Sequence, residues 1–491
     1  MSPPHGRDVD MDVDVAIVGA GFSGLGAAIA LRRQGRRDLV VLDRAAGVGG
    51  TWWANTYPGC SCDVPSHLYS FSFAPNPGWS RTYSCQPEIR AYLERLVDDF
   101  GLAAHLRLST EVTDAAWDAA AGRWTLTTSR GVMTARVLVA AMGPLAEPRL
   151  PDLPGLADFG GPVFHSARWD HSVELDGKRV AAVGTGASAI QFVPEIAPRV
   201  RKLHVFQRTP AWVLPHSGRR VSGAERALFR RVPAAQRAVR AGVYVGRELL
   251  VPGFTRRPGL MRVVELGARR HLRAQVRDPV LRARLEPDYT IGCKRILPSN
   301  RWYPALCRDN VELVTAPIAS VRPGAVVTAD GAVREVDALI LGTGFRVTDM
   351  PVGRWVRGRD GRHLADAWAG SPRAHLGTAV AGFPNLFLLL GPNTGLGHSS
   401  MVYMVESQLA HLTDALAVMD ARGAAVAEVR PEAQAAFNAE VDRRMEKTVW
   451  STGCASWYLD ATGRNTMLWP DFTWRFRHRT RRFDPAAWRL T

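Results

Sequence analysis

A strand followed by a glycine-rich turn and a helix occurs twice in this chain, and no other feature limits the possible fold as strongly. In such a turn the first glycine allows a sharp bend, the second lets the backbone approach a pyrophosphate, and the third position must be small so that the helix packs closely. The small residues are Gly19, Gly21 and Gly24 in the first turn and Gly184, Gly186 and Ala189 in the second. The repeat predicts an α/β fold with two Rossmann-like dinucleotide-binding domains.

The residue that ends the second strand of each repeat distinguishes the two predicted nucleotide sites. Asp43 and Arg208 each lie 24 residues after the first glycine of their turn. A carboxylate at this position accepts hydrogen bonds from ribose hydroxyls and repels a 2′-phosphate, whereas a guanidinium attracts that phosphate. We therefore expect FAD at the first site and NADPH at the second. The alternative for Arg208 is an ordinary surface arginine, because arginine is abundant in this chain.

The order of these features along 491 residues predicts interleaved domains, since a chain of this length exceeds one hydrophobic core. We place the first part of the FAD-binding domain at residues 1–145 and the NADPH-binding domain at residues 146–335. Residues 336–491 are expected to return to the FAD-binding domain and to form a C-terminal tail. A helical pattern rich in Arg, Ala and Leu indicates an inserted helical excursion at about 217–288 within the NADPH domain.

The net charge of +16 is concentrated in one part of the chain. Between residues 219 and 284 there are 17 arginines and four acidic residues. Such a charge raises nucleic acid or an anionic membrane as a partner. Because no nucleic-acid-binding motif accompanies it, we expect a solvated helical face and no nucleic-acid partner.

The apolar segments are all of strand size. The longest, such as residues 386–390, fall far short of the roughly 18 residues that a bilayer span requires. The lead before Gly19 contains Pro and Asp and lacks the apolar region of a signal peptide. The sequence therefore predicts no membrane span and a cytoplasmic location.

Six cysteines in a chain of this length, with no two at CxxC spacing, predict neither a disulfide framework nor a structural zinc site. The closest pair, Cys60 and Cys62, has one residue between its members, unlike the CxxC or CxxxxC pair of a flavin-dependent disulfide reductase. Paired flavin and nicotinamide sites still require hydride transfer. A reductase or an oxygenase is therefore favoured over a disulfide oxidoreductase.

Two further segments carry a family resemblance that spans nearly the whole chain. They are GGTWWANTYPGCSCD at residues 49–63 and FGGPVFHSARWD at residues 159–170. Together with both glycine turns, they resemble the type I Baeyer-Villiger monooxygenases, which are class B flavoprotein monooxygenases. The family fingerprint FxGxxxHxxxW, followed by Pro or Asp, is matched at Phe159, Gly161, His165, Trp169 and Asp170.

The fingerprint lies just after a Pro-rich link and just before the second glycine turn, which is the expected hinge between the two domains. The resemblance implies a role in domain movement and in handling the nicotinamide. His165 and Trp169 are four residues apart, so they would share a face if the segment were helical. Packing of the hinge alone is the alternative.

The resemblance also implies the catalytic residues. In the segment IGCKRILPSNRWYPAL it places Arg295 over the flavin ring, with Asp63 beside it. A guanidinium there would stabilise a peroxide anion and the oxyanion formed next, without losing its own proton. The alternatives are a phosphate or surface contact for Arg295 and a turn cap for Asp63. Further cofactor contacts are implied for Gly50, Thr51, Trp52, Tyr57 and Asp63, and for Thr209 and Lys294 near the 2′-phosphate.

The activity that the resemblance implies is oxygenation of a ketone to an ester or lactone through a C4a-peroxyflavin, with consumption of NADPH and O2. A flavin monooxygenase that oxidises nitrogen or sulfur is the alternative enzyme. A non-catalytic flavin redox sensor with a basic docking surface is the alternative from another class. The identity of the ketone and the oligomeric state are not encoded in any motif of the chain.

Overall fold

The structure is a computed structural model that describes residues 11–491. Most of the lead on which the signal-peptide prediction depends, residues 1–10, lies outside the described residues. No helix within residues 11–491 is both long and apolar enough to cross a membrane.

Two large sheets, three small ones and the helices around them make up the described chain. The strands are β1 (Met11–Val18), β2 (Leu39–Leu42), β3 (Leu106–Arg107), β4 (Val112–Asp118), β5 (Arg123–Thr128), β6 (Gly131–Ala140), β7 (Val163–His165), β8 (Arg179–Val183), β9 (Lys202–Phe206), β10 (Val213–Leu214), β11 (Leu297–Pro298), β12 (Val311–Val314), β13 (Ile318–Arg322), β14 (Ala325–Thr328), β15 (Val333–Glu335), β16 (Ala338–Leu341), β17 (Val356–Arg357), β18 (Leu386–Leu388), β19 (Ala427–Val429) and β20 (Trp488–Leu490). The helices are α1 (Phe22–Arg33), α2 (Thr51–Ala54), α3 (Gln86–Asp99), α4 (Ala189–Ile196), α5 (Gly223–Arg231), α6 (Pro233–Glu248), α7 (Val251–Thr255), α8 (Met261–Gln275), α9 (Pro279–Leu285), α10 (Trp302–Leu306), α11 (Val352–Trp355), α12 (Leu364–Trp368), α13 (Met401–Ala421), α14 (Pro431–Met445) and α15 (Thr473–Thr480).

The first sheet has the order β17-β4-β5-β6-β1-β2-β3, and β18 also pairs with β6. Its central strand β1 is almost entirely apolar after Asp14, and Val15, Ala16 and Ile17 are fully buried, as expected for a parallel strand covered on both faces. Helices α1 and α13 pack closely against each other, because a Cβ at Gly26 would lie 2.9 Å from a methyl of Leu409. Strands from both ends of the chain therefore build one sheet.

The second sheet is entirely parallel, with the order β12-β9-β8-β16-β7. Strand β16 pairs with β8 and β7, so this sheet continues past residue 335, where we had placed the end of the NADPH domain. The sequence pattern did not reveal this, because a short apolar run predicts a buried strand without indicating which sheet receives it. Strands β13, β14 and β15 form a separate antiparallel sheet.

Two chain crossings connect the large sheets, and they run side by side. The amide of Arg149 donates to the carbonyl of Gly344 at 2.8 Å, and the amide of Arg346 donates to the carbonyl of Glu147 at 2.9 Å. These residues form a two-stranded link between the two large sheets.

The helical excursion, α5 to α9, leaves the second unit after β10 and returns at β11. It packs on the part of the chain that returns to the first unit. The rings of Tyr244 and Tyr403 stack with centroids 4.8 Å apart, and Glu248 accepts a hydrogen bond from the amide of Thr473 at 3.0 Å. The excursion is thus held by residues of both units.

Candidate active site

The first glycine turn joins β1 to α1 with almost no space between strand and helix. Gly19 has φ +114°, and a Cβ there would lie 2.6 Å from the carbonyl oxygen of Ala141. A Cβ at Gly24 would lie 1.7 Å from the carbonyl oxygen of Gly19. Both positions therefore require glycine, and the N-terminus of α1 begins directly at the end of the strand.

A further turn, just before α2, lies against the first glycine turn. Gly50, with φ +55°, precedes α2, and a Cβ at Gly21 would be 3.5 Å from the Cα of Gly50. The α2 residues Thr51 and Trp52 follow, and the indole of Trp52 donates to the hydroxyl of Tyr69 at 3.1 Å. The predicted flavin contacts from residues 50–52 thus lie beside the first glycine turn.

Asp43 stands at the end of β2, next to the same turn. Its carboxylate accepts a hydrogen bond from the amide of Ala20 at 2.6 Å and another from the amide of Ala45 at 2.8 Å. These bonds fix the carboxylate at the position from which a ribose would be recognised.

The second glycine turn, at Gly184 and Gly186, has the same close packing of strand on helix as the first. Gly184 has φ +106°, and a Cβ there would lie 2.4 Å from the carbonyl oxygen of Gly342. A Cβ at Gly186 would meet open space, so this glycine leaves the backbone accessible. Ala189 is fully buried and begins α4, as expected for the small third residue of the turn.

Two neighbouring cations, Arg208 and Lys294, lie beside the second glycine turn. Arg208 is exposed, and neither it nor Lys294 forms an ion pair with any residue from 11 to 491. Partial burial lowers the pKa of Lys294, and the nearby charge of Arg208 lowers it further. The carbonyl of Thr209 accepts a hydrogen bond from Thr185 at 3.3 Å, which ties the end of β9 to the turn. Two repelling cations with a free side towards solvent suit an anionic ligand.

Asp63 and Arg295, 232 residues apart in the chain, form a bidentate ion pair. The Nε of Arg295 donates to Oδ2 of Asp63 at 2.8 Å, and its Nη2 donates to Oδ1 at 2.7 Å. The side chains are 29% and 22% exposed for Arg295 and Asp63, so the pair is only partly screened by solvent. The carboxylate raises the pKa of Arg295 above its already high ordinary value. The guanidinium therefore stays charged and keeps a fixed orientation.

Residues 57–61 of the first unit dock onto helix α4 of the second. The hydroxyl of Tyr57 donates to Oε1 of Gln191 at 3.0 Å, and the side-chain amide of Gln191 donates to the carbonyl of Ser61 at 3.0 Å. A Cβ at Gly59 would lie 2.8 Å from the carbonyl oxygen of Gln191. Burial raises the pKa of Tyr57 well above its ordinary value, which keeps the hydroxyl protonated as a donor. Gln191 could not be identified from the sequence, because a lone glutamine in a helix carries no motif.

The fingerprint segment is not one helix. His165 ends β7 and is followed by a 3-10 turn over residues 166–168, so the condition for a shared His165 and Trp169 face is not met. The ring of His165 packs on Phe345 at 5.8 Å, beside the two-stranded link, and Trp169 packs edge-on to Phe164 at 5.1 Å. The backbone between them turns away from the helical path, which separates the two side chains.

Burial lowers the pKa of His165 to about 4, so its ring is neutral near pH 7. Its Nδ1 accepts from the amide of Ala167 at 3.1 Å, and an interaction of the ring with the backbone of Gly344, in the two-stranded link, offsets part of the pKa shift. Asp170 is exposed and accepts from the amide and hydroxyl of Ser172, which lowers its pKa and makes it a turn cap.

The first part of the fingerprint packs in the second unit. Phe159 is buried in a small core cluster with β13 and β14, and a Cβ at Gly161 would lie 2.4 Å from the carbonyl oxygen of Asp337. Gly161 is thus required for close backbone contact with the start of β16.

A buried tyrosine and a disulfide next to Arg295 were not predicted from the sequence. Tyr458 is 1% exposed; burial raises the pKa of its hydroxyl to about 12, and the neighbouring guanidinium of Arg295 partly offsets this shift. Cys293 and Cys454, 161 residues apart, form a disulfide that ties the Arg295 segment to the C-terminal region. Spacing alone cannot identify a pair separated by so much chain.

The other two cysteines near the site are reduced and buried. Burial raises the pKa of the Cys60 thiol to about 12 and raises that of Cys62 as well. Thiols that stay protonated are poor redox nucleophiles. This agrees with the sequence argument against disulfide reduction.

Known proteins extend this description. Residues 16–222, which include both glycine turns, match the family described as pyridine nucleotide-disulphide oxidoreductase. A Baeyer-Villiger monooxygenase from Streptomyces coelicolor is 55% identical over 486 residues, covering 99% of this chain and 94% of the relative. Another from Pseudomonas aeruginosa is 52% identical over 481 residues, covering 97% and 91%.

Solved structures agree with the sequence relatives. An oxidized steroid monooxygenase bound to NADP superimposes with a TM-score of 0.86 at 35% identity, covering 98% of this chain and 99% of that one. A closed cyclohexanone monooxygenase gives a TM-score of 0.87 at 30% identity, covering 98% and 100%.

Fold and site together define an α/β oxidoreductase with two dinucleotide-binding units, which confirms the predicted fold class. The relatives are similar to this chain over almost their whole length. The chain belongs to the Baeyer-Villiger monooxygenase family, as the resemblance predicted.

Proposed function

We propose that this protein binds FAD at the first glycine turn and NADPH at the second, and that it inserts one oxygen atom of O2 into a ketone. The products are an ester or lactone, NADP⁺ and water, with one NADPH and one proton consumed. The names of the relatives support this reaction. A cytoplasmic location, where NADPH is regenerated, is part of the proposal.

The observation that carries the proposal is the Asp63–Arg295 pair and its neighbour Lys294. Arg295 is held by the first unit, whereas Lys294, the residue before it, lies beside Arg208 of the second. A single segment therefore brings one cation to each of the two predicted nucleotide sites. This is the arrangement needed where the two cofactors exchange a hydride.

The residues fit the two cofactors. In the first turn, glycine at positions 19 and 24 allows the tight packing of strand on helix, because a Cβ at either would clash with backbone, and Asp43 is hydrogen-bonded to the same turn. The second turn offers Gly186 with open space above it and the cations Arg208 and Lys294, which form no ion pair within residues 11–491, for a 2′-phosphate. Bound FAD, once reduced by NADPH, would activate O2 and supply the oxygen atom.

Arg295 supplies a fixed positive charge for the reaction. When a nucleophile adds to a ketone carbonyl, negative charge develops on the carbonyl oxygen, and a preorganised cation stabilises it. Because Asp63 raises the pKa of Arg295, the guanidinium does not transfer its own proton. Asp63 binds Nε and Nη2 of the guanidinium, which lies near the hydroxyl of Tyr458, so Nη1 is the donor that would meet the substrate or cofactor.

We assign His165 to positioning rather than to proton transfer. Its ring is neutral, is buried against Phe345 of the link between the units, and lies beside the backbone of Gly344 in the same link. A residue in this place would affect how the two units move relative to each other.

Replacement of Arg295 tests the proposal. Arg295→Ala is expected to keep its bound flavin and to oxidise NADPH, but to form at least a hundredfold less ester from a cyclic ketone, because loss of one charge-stabilising group typically costs this much. Arg295→Lys keeps the charge but not the bidentate fork, so we expect an intermediate loss. The matched control is Arg308→Ala, which removes an exposed arginine elsewhere in the same unit. Normal ester formation by Arg295→Ala would refute the catalytic role.

A further inference from the structure

The helical excursion exposes an aliphatic surface on the side away from the site. Four large side chains, from the end of α6, the turn before α8 and α8 itself, are more than half exposed: Leu249 at 74%, Leu260 at 54%, Val263 at 74% and Leu266 at 67%. Single exposed leucines are common on protein surfaces, but neighbouring ones indicate a contact surface.

These side chains are neighbours. Leu260, Val263 and Leu266 follow one another at a spacing of three residues along α8 and the turn that leads into it, so they lie along one side. A Cβ at Gly253 would lie 3.8 Å from the Cβ of Leu260. Leu249 directly follows α6, two residues before α7, which places a fourth exposed aliphatic side chain at the start of the same segment.

Arginines border this stripe, and they lack acidic partners. Arg257, Arg262, Arg270 and Arg273 are exposed, and none of them forms an ion pair with any residue in the range 11–491. The one carboxylate on α8, that of Glu265, is occupied by Arg269 at 2.9 Å. We name the four aliphatic and four arginine residues together the aliphatic–arginine surface.

We propose that the aliphatic–arginine surface docks on a bilayer that contains anionic phospholipid. Peripheral membrane helices combine apolar side chains, which enter the headgroup boundary, with cations that meet lipid phosphates. The surface carries both, whereas no helix in residues 11–491 is suited to cross the bilayer. The protein would thus lie on the membrane without spanning it.

Charge and composition distinguish this occupant from two others. A symmetric dimer formed through the surface would bring eight unpaired arginines together, and like charges at an interface oppose association. A nucleic acid would meet the arginines but would leave the four exposed Leu and Val side chains without an apolar partner. An anionic bilayer satisfies both the arginines and the aliphatic side chains.

The opposite side of the same elements faces the candidate active site. Phe254 of α7 and Met261 of α8 are buried in one cluster with Tyr458 and with Ile291 of the Arg295 segment. A docked molecule would therefore have the bilayer on one side of the excursion and the site on the other. Apolar ketones that partition into lipid would be concentrated near the protein.

Vesicle sedimentation of the full-length, FAD-containing protein tests the proposal. Vesicles of phosphatidylcholine alone are compared with vesicles of equal parts phosphatidylcholine and phosphatidylglycerol. We expect at least tenfold tighter binding to the anionic vesicles, and weaker binding as salt is raised, because exposed charges are screened. Equal binding to both kinds of vesicle, or binding to neither, would overturn the proposal.

Variants locate the binding. Arg262→Gln, Arg270→Gln and Arg273→Gln together are expected to weaken binding about a hundredfold, since each cation near an anionic surface contributes about fivefold. Leu260→Ser, Val263→Ser and Leu266→Ser together should weaken it at least tenfold.

The matched control is Val132→Ser with Val333→Ser. It removes two aliphatic side chains that are 44% and 52% exposed on strands β6 and β15, outside the excursion, and it should leave vesicle binding unchanged. If the triple serine variant loses its flavin, its vesicle binding is not interpreted. The triple glutamine variant then tests the proposal, because its three arginine side chains are exposed and their replacement should not disturb the fold. Unchanged binding by the arginine variant would refute the surface. So would a concentration-dependent dimer that the serine changes abolish while vesicle binding is absent.

Discussion

Acid should destabilise this protein through a histidine that has no way to carry a charge. His411 lies on α13, is 1% exposed and packs between the rings of Phe483 and Trp488, at 5.7 and 6.1 Å. Neither of its ring nitrogens has a hydrogen-bond partner within residues 11–491. Burial lowers its pKa to about 3, and the neighbouring His375 contributes a smaller effect in the same direction.

The direction of the pH effect follows from this shift. A histidine whose pKa is lower in the folded state takes up its proton preferentially on unfolding, so its contribution to stability is intact above about pH 6.5 and is lost as the pH falls. Each pH unit below that value costs about 1.4 kcal/mol, so the loss between pH 8 and pH 5 is about 2 kcal/mol from His411. This value does not depend on the exact folded pKa, because pH 5 lies above it.

His411→Leu is the variant that isolates the effect. Leucine has a similar volume, prefers helices and needs no hydrogen bond, so the variant should be at least as stable as the natural protein at pH 8. Its advantage in the free energy of unfolding should grow by about 2 kcal/mol between pH 8 and pH 5, measured by urea unfolding with tryptophan fluorescence. His478→Gln, a change at an exposed position, is the matched control and should follow the natural protein. Parallel curves for His411→Leu and the natural protein would show that the imidazole is not held neutral by burial.

Three other changes address the cofactor sites and the disulfide. Gly24→Ala should leave little bound flavin, because its Cβ would overlap a carbonyl oxygen 1.7 Å away; the flavin-to-protein absorbance ratio measures this, with Gly223→Ala, at an open position, as the control. Arg208→Gln should raise KM for NADPH at least tenfold and leave that for NADH within about twofold, since only NADPH carries the 2′-phosphate; equal changes in steady-state kinetics would contradict the assignment. Cys454→Ser should lower the free energy of unfolding by about 2–5 kcal/mol, because the Cys293–Cys454 bond closes a long loop; an unchanged urea midpoint under non-reducing conditions would contradict this.

Local chemistry explains what the sequence predicted well. At Gly19, Gly24 and Gly184 an added Cβ would lie only 1.7 to 2.6 Å from a backbone oxygen, so these positions require glycine. Such a requirement is visible directly in the sequence. Asp43 and Arg208 follow from the fixed length of a strand-turn-helix-strand unit, which places the end of the next strand beside the turn.

Long-range pairing explains what the sequence could not predict. The partner of β16, the Cys293–Cys454 bond and the Tyr57–Gln191 bond all join segments whose meeting depends on the complete fold. The Asp63–Arg295 pair is of the same kind. It was anticipated only through family resemblance, because nothing in either local segment identifies the other.

The two-stranded link lies within residues 143–150 and 342–347. The other contacts between the two units restrict how this link can act as a hinge. The Tyr57–Gln191 bond joins the first unit to helix α4 of the second. The Asp63–Arg295 bond joins the first unit to the segment between α9 and β11. A rotation large enough to move the second glycine turn must therefore break these bonds or carry residues 57–63 with it. Breaking an exposed ion pair costs little free energy, whereas breaking a partly buried one costs more. The free energy of that rotation therefore depends on how far water reaches Arg295. A bound cofactor that excludes water there would hold the two units in this arrangement, so occupancy of the site and the relative position of the units are physically linked.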